Sequence, residues 1–280
     1  MTLPVPVLDH VVINVANQLD EASALYRRLG FQLSERGHHS LGSSNHLAIF
    51  NENYLELLGF EQGRGDKRKN IWDAPLGLSG LVWKTQSAAD EFIHLEQQGL
   101  DEAPPASFHR PVRLPEGHET QARFKTVKLR RSLIPNGYSF FCQHETPEAV
   151  WQADWQRHPN GVKNISEFVI SAQNPARATR VYSQLFGEHR IQASHDGALV
   201  LKAGKATVRI ASEDYARRRF GTLPEDYDGT PRMVGLSFLV ESLAQVKTSL
   251  LHGDIPFREE EGDIIVAPDQ AFNLALRFHI

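Results

Sequence analysis

Residues 8–30 read "LDHVVINVANQLDEASALYRRLG", and residues 165–187 return the pattern as "ISEFVISAQNPARATRVYSQLFG". With single-residue gaps, Asn17 aligns with Asn174, Tyr26 with Tyr182, and Gly30 with Gly187. Each segment opens on an apolar run of strand length. In the first, Leu19, Ala22, Leu25, Tyr26 and Leu29 then recur at helical spacing. Asn17, with Asp20 three residues on, suits the start of that helix, and Gly30 suits a left-handed stop. Short β-type runs follow, "FQLSE", "HLAIF" and "YLELLGF", divided by Gly, Ser and Asn clusters that read as turns. The unit is βαβββ.

The same order recurs twice more. "LSGLVWKT" (78–85) opens a second copy, with a helix over 87–98 and later strands in "TQARFKTVKL" and "GYSFFCQH". "MVGLSFLVESLAQV" (233–246) opens a fourth, which ends in "FNLALRFHI". Repeats at this scale define a fold before any single element does. One such unit leaves a sheet face to bury, so the units must pair. The expected organisation is one domain over 1–146, a connector over 147–161 and a second domain over 162–280. The connector should pack, because Trp151 and Trp155 are costly to leave in water.

Bulk properties narrow the function classes. At 280 residues and 41% hydrophobic, the chain can bury a large core. Charged residues make up 23% with both signs mixed, and a net charge of -4 gives no basic excess for nucleic acid. No cationic leader precedes the first apolar stretch, and nowhere do about 18 apolar residues run together. A cytoplasmic protein with no membrane partner is expected. With Cys142 as the only cysteine, neither an intrachain disulfide nor a cysteine-rich zinc site can form. No phosphate-binding glycine loop and no serine or cysteine nucleophile motif is present.

Paired βαβββ units that open on a "DHV" strand and close on "YLEL" resemble the vicinal oxygen chelate superfamily, which includes glyoxalase I, extradiol dioxygenases and bleomycin-resistance proteins. "LDHVVINV", "YLELLGF", "FFCQHETPE" and "WQRHPNG" together are similar to its glyoxalase-like domain proteins. The resemblance implies an α+β fold: four βαβββ units paired into two domains, each with a curved mixed sheet around a cavity. It further implies one metal ligand from the first strand of a unit and one from the last. Unit one supplies His10 and Glu56, both suited to Zn, Fe, Ni or Mn. Unit two supplies Gly80 and Phe140, unit three Glu167 and Arg209, and unit four Gly235 and Ala275. Only the first domain keeps a ligand pair, and Glu167 with Arg209 is expected to form an ion pair in place of a lost site.

A catalytic metal generally takes three protein ligands and an open position. His144, of the same strand parity as Phe140, is the expected third ligand; His46, His109 and His118 are alternatives. Tyr54, His46, Phe140 and Arg123 are expected to contact substrate. Without a metal, Glu56 beside His10 is a candidate general base. The leading expectation is a metal-assisted lyase, isomerase or dioxygenase acting on a small oxygen-rich molecule. The rivals are a metal-free binding protein of the bleomycin-resistance type and an inert partner-binding module. Expected partners are the small-molecule ligand and a second copy in a homodimer.

Weaker signals remain. Arg113, Arg123, Lys125, Lys128, Arg130 and Arg131 crowd neighbouring strands, as a solvated face or an anion-attracting rim. Residues 61–77 read as a surface loop that carries Trp72 toward the cavity mouth, and 213–232 as a surface helix and loop. His38 and His39 sit at a turn, where solvation is expected.

Overall fold

The computed structural model of the chain describes residues 3–65 and 69–280. Its N-terminal half runs β1 (Leu8–Ala16), α1 (Leu19–Arg28), β2 (Gly37–His38), β3 (Ser44–Ile49) and β4 (Tyr54–Gly59). A short helix α2 (Lys69–Trp72) leads to β5 (Gly77–Lys84), α3 (Ala88–Gln98), β6 (Ala106–Arg113), β7 (Glu119–Lys128) and β8 (Tyr138–His144). The C-terminal half repeats the plan: β9 (Val162–Ser171), α4 (Pro175–Phe186), β10 (Ile191–Ala193), β11 (Leu199–Ala203) and β12 (Ala206–Ala211). An inserted helix α5 (Glu213–Phe220) precedes β13 (Arg232–Val240), α6 (Leu243–His252), β14 (Arg258–Glu260), β15 (Asp263–Val266) and β16 (Ala275–His279).

Among the described residues these strands form two eight-stranded sheets of identical plan. The first is ordered β2-β3-β4-β1-β5-β8-β7-β6, the second β10-β11-β12-β9-β13-β16-β15-β14. In each, two units join through antiparallel pairing of their first strands, and each first strand lies parallel to its own unit's last. The sequence expectation of an α+β fold with four paired units is met.

Strand alternation sends β1 residues to opposite sides. Val11, Ile13 and Val15 enter a core that contains Tyr26 and Leu29 of the α1 region, while Val12 belongs to a second cluster on the other face with Leu47, Tyr54 and Leu58. Both faces are therefore buried, which explains why the run reads as continuously apolar. The first core spans both halves. Phe31 packs on Phe238 at 5.4 Å, Trp83 on Phe186 at 4.7 Å, and the Tyr26 hydroxyl donates to the Ala271 carbonyl at 3.1 Å.

The connector packs as expected, with Trp151 and Trp155 half-buried against the second cluster. His158 pins it: Nε2 donates to the Ile49 carbonyl at 2.8 Å and Nδ1 accepts from the Gln32 amide at 3.0 Å. Burial holds the His158 imidazole down at about 4, the bond to Ile49 offsetting that only in part.

Local expectations differ in three places. "FQLSE" makes no strand, because its amides pair individually, Gln32 to His158 and Ser34 to the Leu47 carbonyl, and not along a ladder. Gln18, not Asn17, precedes α1 and gives no side-chain cap, whereas Asn174 does cap α4 by accepting from the Arg177 amide. Gly30 takes the left-handed stop at φ +85°, with Ser249 and Asn160 too close for a Cβ. Residues 66–68 of the expected loop lie outside the described residues; within it, Trp72 is half-buried against Phe60 at 5.0 Å. Among the described residues no helix is long and apolar enough to cross a membrane.

Candidate functional site

The concave face of the first sheet lines a cavity of about 930 Å³, its mouth included. Its floor is set by register. Val12 pairs with Glu56 on β4 and with Gly80 on β5, so His10 and Glu56 stand two residues apart along adjacent parallel strands, on one face. His10 Nε2 lies 3.7 Å from Glu56 Oε2, and both side chains are buried.

The partners of each group fix its chemistry. His10 Nδ1 donates to Asp9 Oδ2 at 2.6 Å, and His144 Nε2 donates to the same oxygen at 2.9 Å. Asp9 is fully buried; desolvation alone would raise its carboxyl, but His144 and His10 beside it hold it well below the usual carboxylate range. With Nδ1 committed to Asp9, His10 presents Nε2 to the cavity. The Tyr54 ring stacks on the imidazole at 4.3 Å and Phe140 meets it edge-on at 5.8 Å, so its plane is fixed. Glu56 Oε1 accepts from the Asn45 amide at 2.6 Å, leaving Oε2 turned to His10. Burial and the neighbouring carboxylates Asp9 and Glu56 raise the Tyr54 phenol.

A further histidine joins them. His39, half-buried on the cavity wall, brings Nε2 to 3.8 Å from Glu56 Oε1 and 3.2 Å from Asn45 Nδ2, while its Nδ1 meets Ser43 Oγ at 2.8 Å. This corrects the expectation of a solvated pair: His38 is exposed, but His39 faces inward beside Asn45. The two-residue strand β2 carries too little alternation to show it in sequence.

Several expected positions are redirected. His46 lies on β3 between Asn45 and Leu47, both cavity residues, so alternation turns it away; its Nδ1 meets the Ser34 carbonyl at 2.9 Å. Arg123 is exposed on β7 between the inward Ala122 and Phe124. His109 and His118 are also exposed. His144 does not join the His10–Glu56 pair, because its Nε2 is engaged by Asp9, which stands between the two histidines. Tyr54 and Phe140 do line the cavity.

Asp9, Cys142 and His144 bring one ligand-type atom each within 4.8 Å of one another. Burial and the carboxylates Asp9 and Glu56 push the Cys142 thiol well up, while Asp9 accepts from both His144 and His10.

The remaining superfamily positions are closed. A Cβ on Gly80 would stand 2.6 Å from Val12 Cβ, so no ligand fits there. In the second sheet the expected ion pair forms, with Arg209 Nε donating to Glu167 Oε1 at 2.7 Å. Register corrects the fourth unit. Gly235 pairs with Ala275 and Ser237 with Arg277, so Arg277, not Ala275, is the counterpart of Glu56 and Arg209. Arg277 Nη1 lies 3.8 Å from Glu167, which also binds Arg219 of α5 and accepts from Ser237 Oγ at 2.8 Å. Burial would raise the Glu167 carboxyl, but Arg219, Ser237 and Arg209 bring it down to about 2. The inserted helix fills this concave face with Tyr215, Ala216 and Phe220, the Phe220 ring lying against Gly235.

The sequence model of the glyoxalase-like domain matches residues 8–186. No curated protein sequence matches the chain significantly. Among solved structures, a hypothetical protein from Staphylococcus aureus is 15% identical with a TM-score of 0.66, covering 97% of this chain and 98% of that one. A mutant of 4-hydroxymandelate synthase from Streptomyces coelicolor is 12% identical with a TM-score of 0.60, covering 99% and 92%. A xylose isomerase-like TIM barrel/4-hydroxyphenylpyruvate dioxygenase fusion protein is 10% identical with a TM-score of 0.58, covering 99% of this chain and 49% of that one. These likenesses concern the fold alone; the family match, over residues 8–186, shows that the chain belongs to the glyoxalase-like domain family.

Proposed function

We propose that this chain is a metal-dependent enzyme, a lyase, isomerase or dioxygenase, that acts on a small oxygen-rich molecule in the cavity of the first sheet. One observation carries the reading. His10, its Nδ1 committed to Asp9, turns Nε2 toward Glu56 Oε2 at 3.7 Å, beyond hydrogen-bond length. An imidazole nitrogen and a carboxylate oxygen that face each other at this separation in a buried site are a donor set that a divalent cation takes. Atoms that ligate one ion at about 2.0–2.2 Å stand roughly 3–4 Å apart, which this pair matches. The Asp9–His10 bond is the outer-shell arrangement that orients a ligating imidazole.

His10 and Glu56 would hold the ion, with His39 beside the other Glu56 oxygen as the third candidate. A divalent ion held there supplies a Lewis acid toward substrate oxygens. The chain's own groups do the rest. Asp9 keeps the His10 tautomer, Tyr54 and Phe140 hold its plane, Asn45 steers Glu56, and Val12, Leu47, Leu58 and Phe124 exclude water from the reacting atoms. A second reading, metal-free binding of a small molecule, is favoured by Gly80 and Phe140, which leave only half of the superfamily's four-ligand set.

Chelator dialysis tests the proposal. Stripping the protein should lower its melting temperature, and adding back Mn, Fe, Ni or Zn should restore it in wild type but not in Glu56→Gln. An unchanged melting temperature through stripping and reloading contradicts the proposal and favours the binder.

A further inference from the structure

The geometry points to Arg110 as an anion anchor, so that the cavity takes a small carboxylic acid with an apolar, preferably aromatic, body. Arg110 projects from β6 into the same cavity as His10 and Glu56, and it is 4% exposed. Its Nε is buried without a partner, and among the described residues no hydrogen bond or ion pair holds the guanidinium. The neighbouring groups Tyr54 and Glu56 favour its charge, yet burial outweighs them.

A buried charge without a paired counter-ion is among the more costly features a fold can carry, and arginine does not shed its proton to escape. Arg110 stays where it is because the chain makes room for it. Gly37 lies against both Asn45 and Arg110: an added Cβ would clash with Asn45 Oδ1 and stand 3.1 Å from Arg110 Cδ. A surface arginine has no need of such a channel.

The ligand class follows from what surrounds the guanidinium. A planar fork of donors matches a carboxylate in two parallel hydrogen bonds. Phe108, Phe124 and Phe140 line the same space, and Phe108 stacks on Phe124 at 5.0 Å, which suits a flat apolar body. Lys128 and Arg131, partly exposed on the cavity wall, join Arg110 in adding positive potential that draws an acid inward, against two acidic residues, Glu56 and Glu102. With its carboxylate on Arg110, such an acid would lie in the same cavity as His10 and Glu56. The inference rests on the cavity being the ligand site named above, but not on a metal being bound.

Paired probes test it: phenylacetate, 3-phenylpropanoate and 4-methylpentanoate, each against its neutral amide, by thermal shift and calorimetry. The expected result is that at least one acid binds wild type tenfold or more tighter than its amide. Arg110→Gln should erase the difference, and His10→Ala/Glu56→Ala should retain it. Retention in the double variant separates this claim from the metal proposal, whose failure leaves it standing. A second readout needs no ligand. Arg110→Met should melt at or above wild type, because it removes a charge that has no partner to lose. No preference for any acid over its amide, an Arg110→Gln protein that keeps the preference, or an Arg110→Met protein that melts well below wild type or fails to fold would each overturn the assignment.

Discussion

At the scale of single residues, Asp9 and Gly80 are the most informative neighbours of the site. Asp9 accepts from both His10 and His144, so it decides which His10 nitrogen faces Glu56. Replacing it with Asn removes the charge and one acceptor. The expected outcome is a 10- to 100-fold loss of metal affinity by competition titration with a chromophoric chelator, the range typical of an outer-shell partner. Gly80 tests why the other half of the ligand set is closed. Gly80→Ala should destabilise the fold by about 1–3 kcal/mol in urea unfolding, because its methyl group meets Val12 in a packed interior. His10 and Glu56 were reached in sequence through the resemblance, which implies a ligand on the first and last strand of a unit, and the register sets the two on one face. His39 was not, since it follows a strand of two residues. Arg110 was not either, because β6, "ASFHRPVR", alternates polar and apolar residues too weakly to tell its inward from its outward side.

At the scale of elements, α5 decides the fate of the second concave face. Sequence placed this insertion on the surface, and Arg217 and Arg218 are exposed there, but Tyr215, Ala216 and Phe220 turn into the sheet. Glu167 and Arg209 were legible as an ion pair; the addition of Arg219 and Arg277 was not, because only the three-dimensional register places Arg277 opposite Ser237. Three guanidiniums gather around one carboxylate. Glu167→Ala should cost about 1–3 kcal/mol, measured by chemical denaturation, since it leaves the half-buried Arg219 without its carboxylate while Arg209 keeps Asp196 and Arg277 keeps Asp263.

At the scale of the whole molecule, the two halves share one core and a connector pinned by His158, so acid should unfold them together. The signs are as follows. Burial holds His158 down to about 4 in the fold, below the ordinary 6.5 of a histidine, so the unfolded chain takes up a proton first as pH falls. Stability therefore drops between about pH 6.5 and 4, by up to about 3 kcal/mol. Glu167 is depressed from 4.5 to about 2, so its contribution is full above 4.5 and is lost as pH falls toward 2. Urea midpoints measured across pH 8 to 3 should fall in these two windows, and His158→Gln should flatten the first. The repeat order, and with it the architecture of each sheet, was legible in sequence. The shared core was not, because an apolar strand run looks the same whichever element covers it.

The central claim is that His10 and Glu56 hold a divalent ion. Elemental analysis of protein purified without an affinity tag tests it most directly. About one equivalent of a divalent transition metal is expected per chain, lost in His10→Ala/Glu56→Ala protein that remains folded. A wild-type protein that carries no metal after expression in metal-replete medium, or a double variant that retains a full equivalent, contradicts the account.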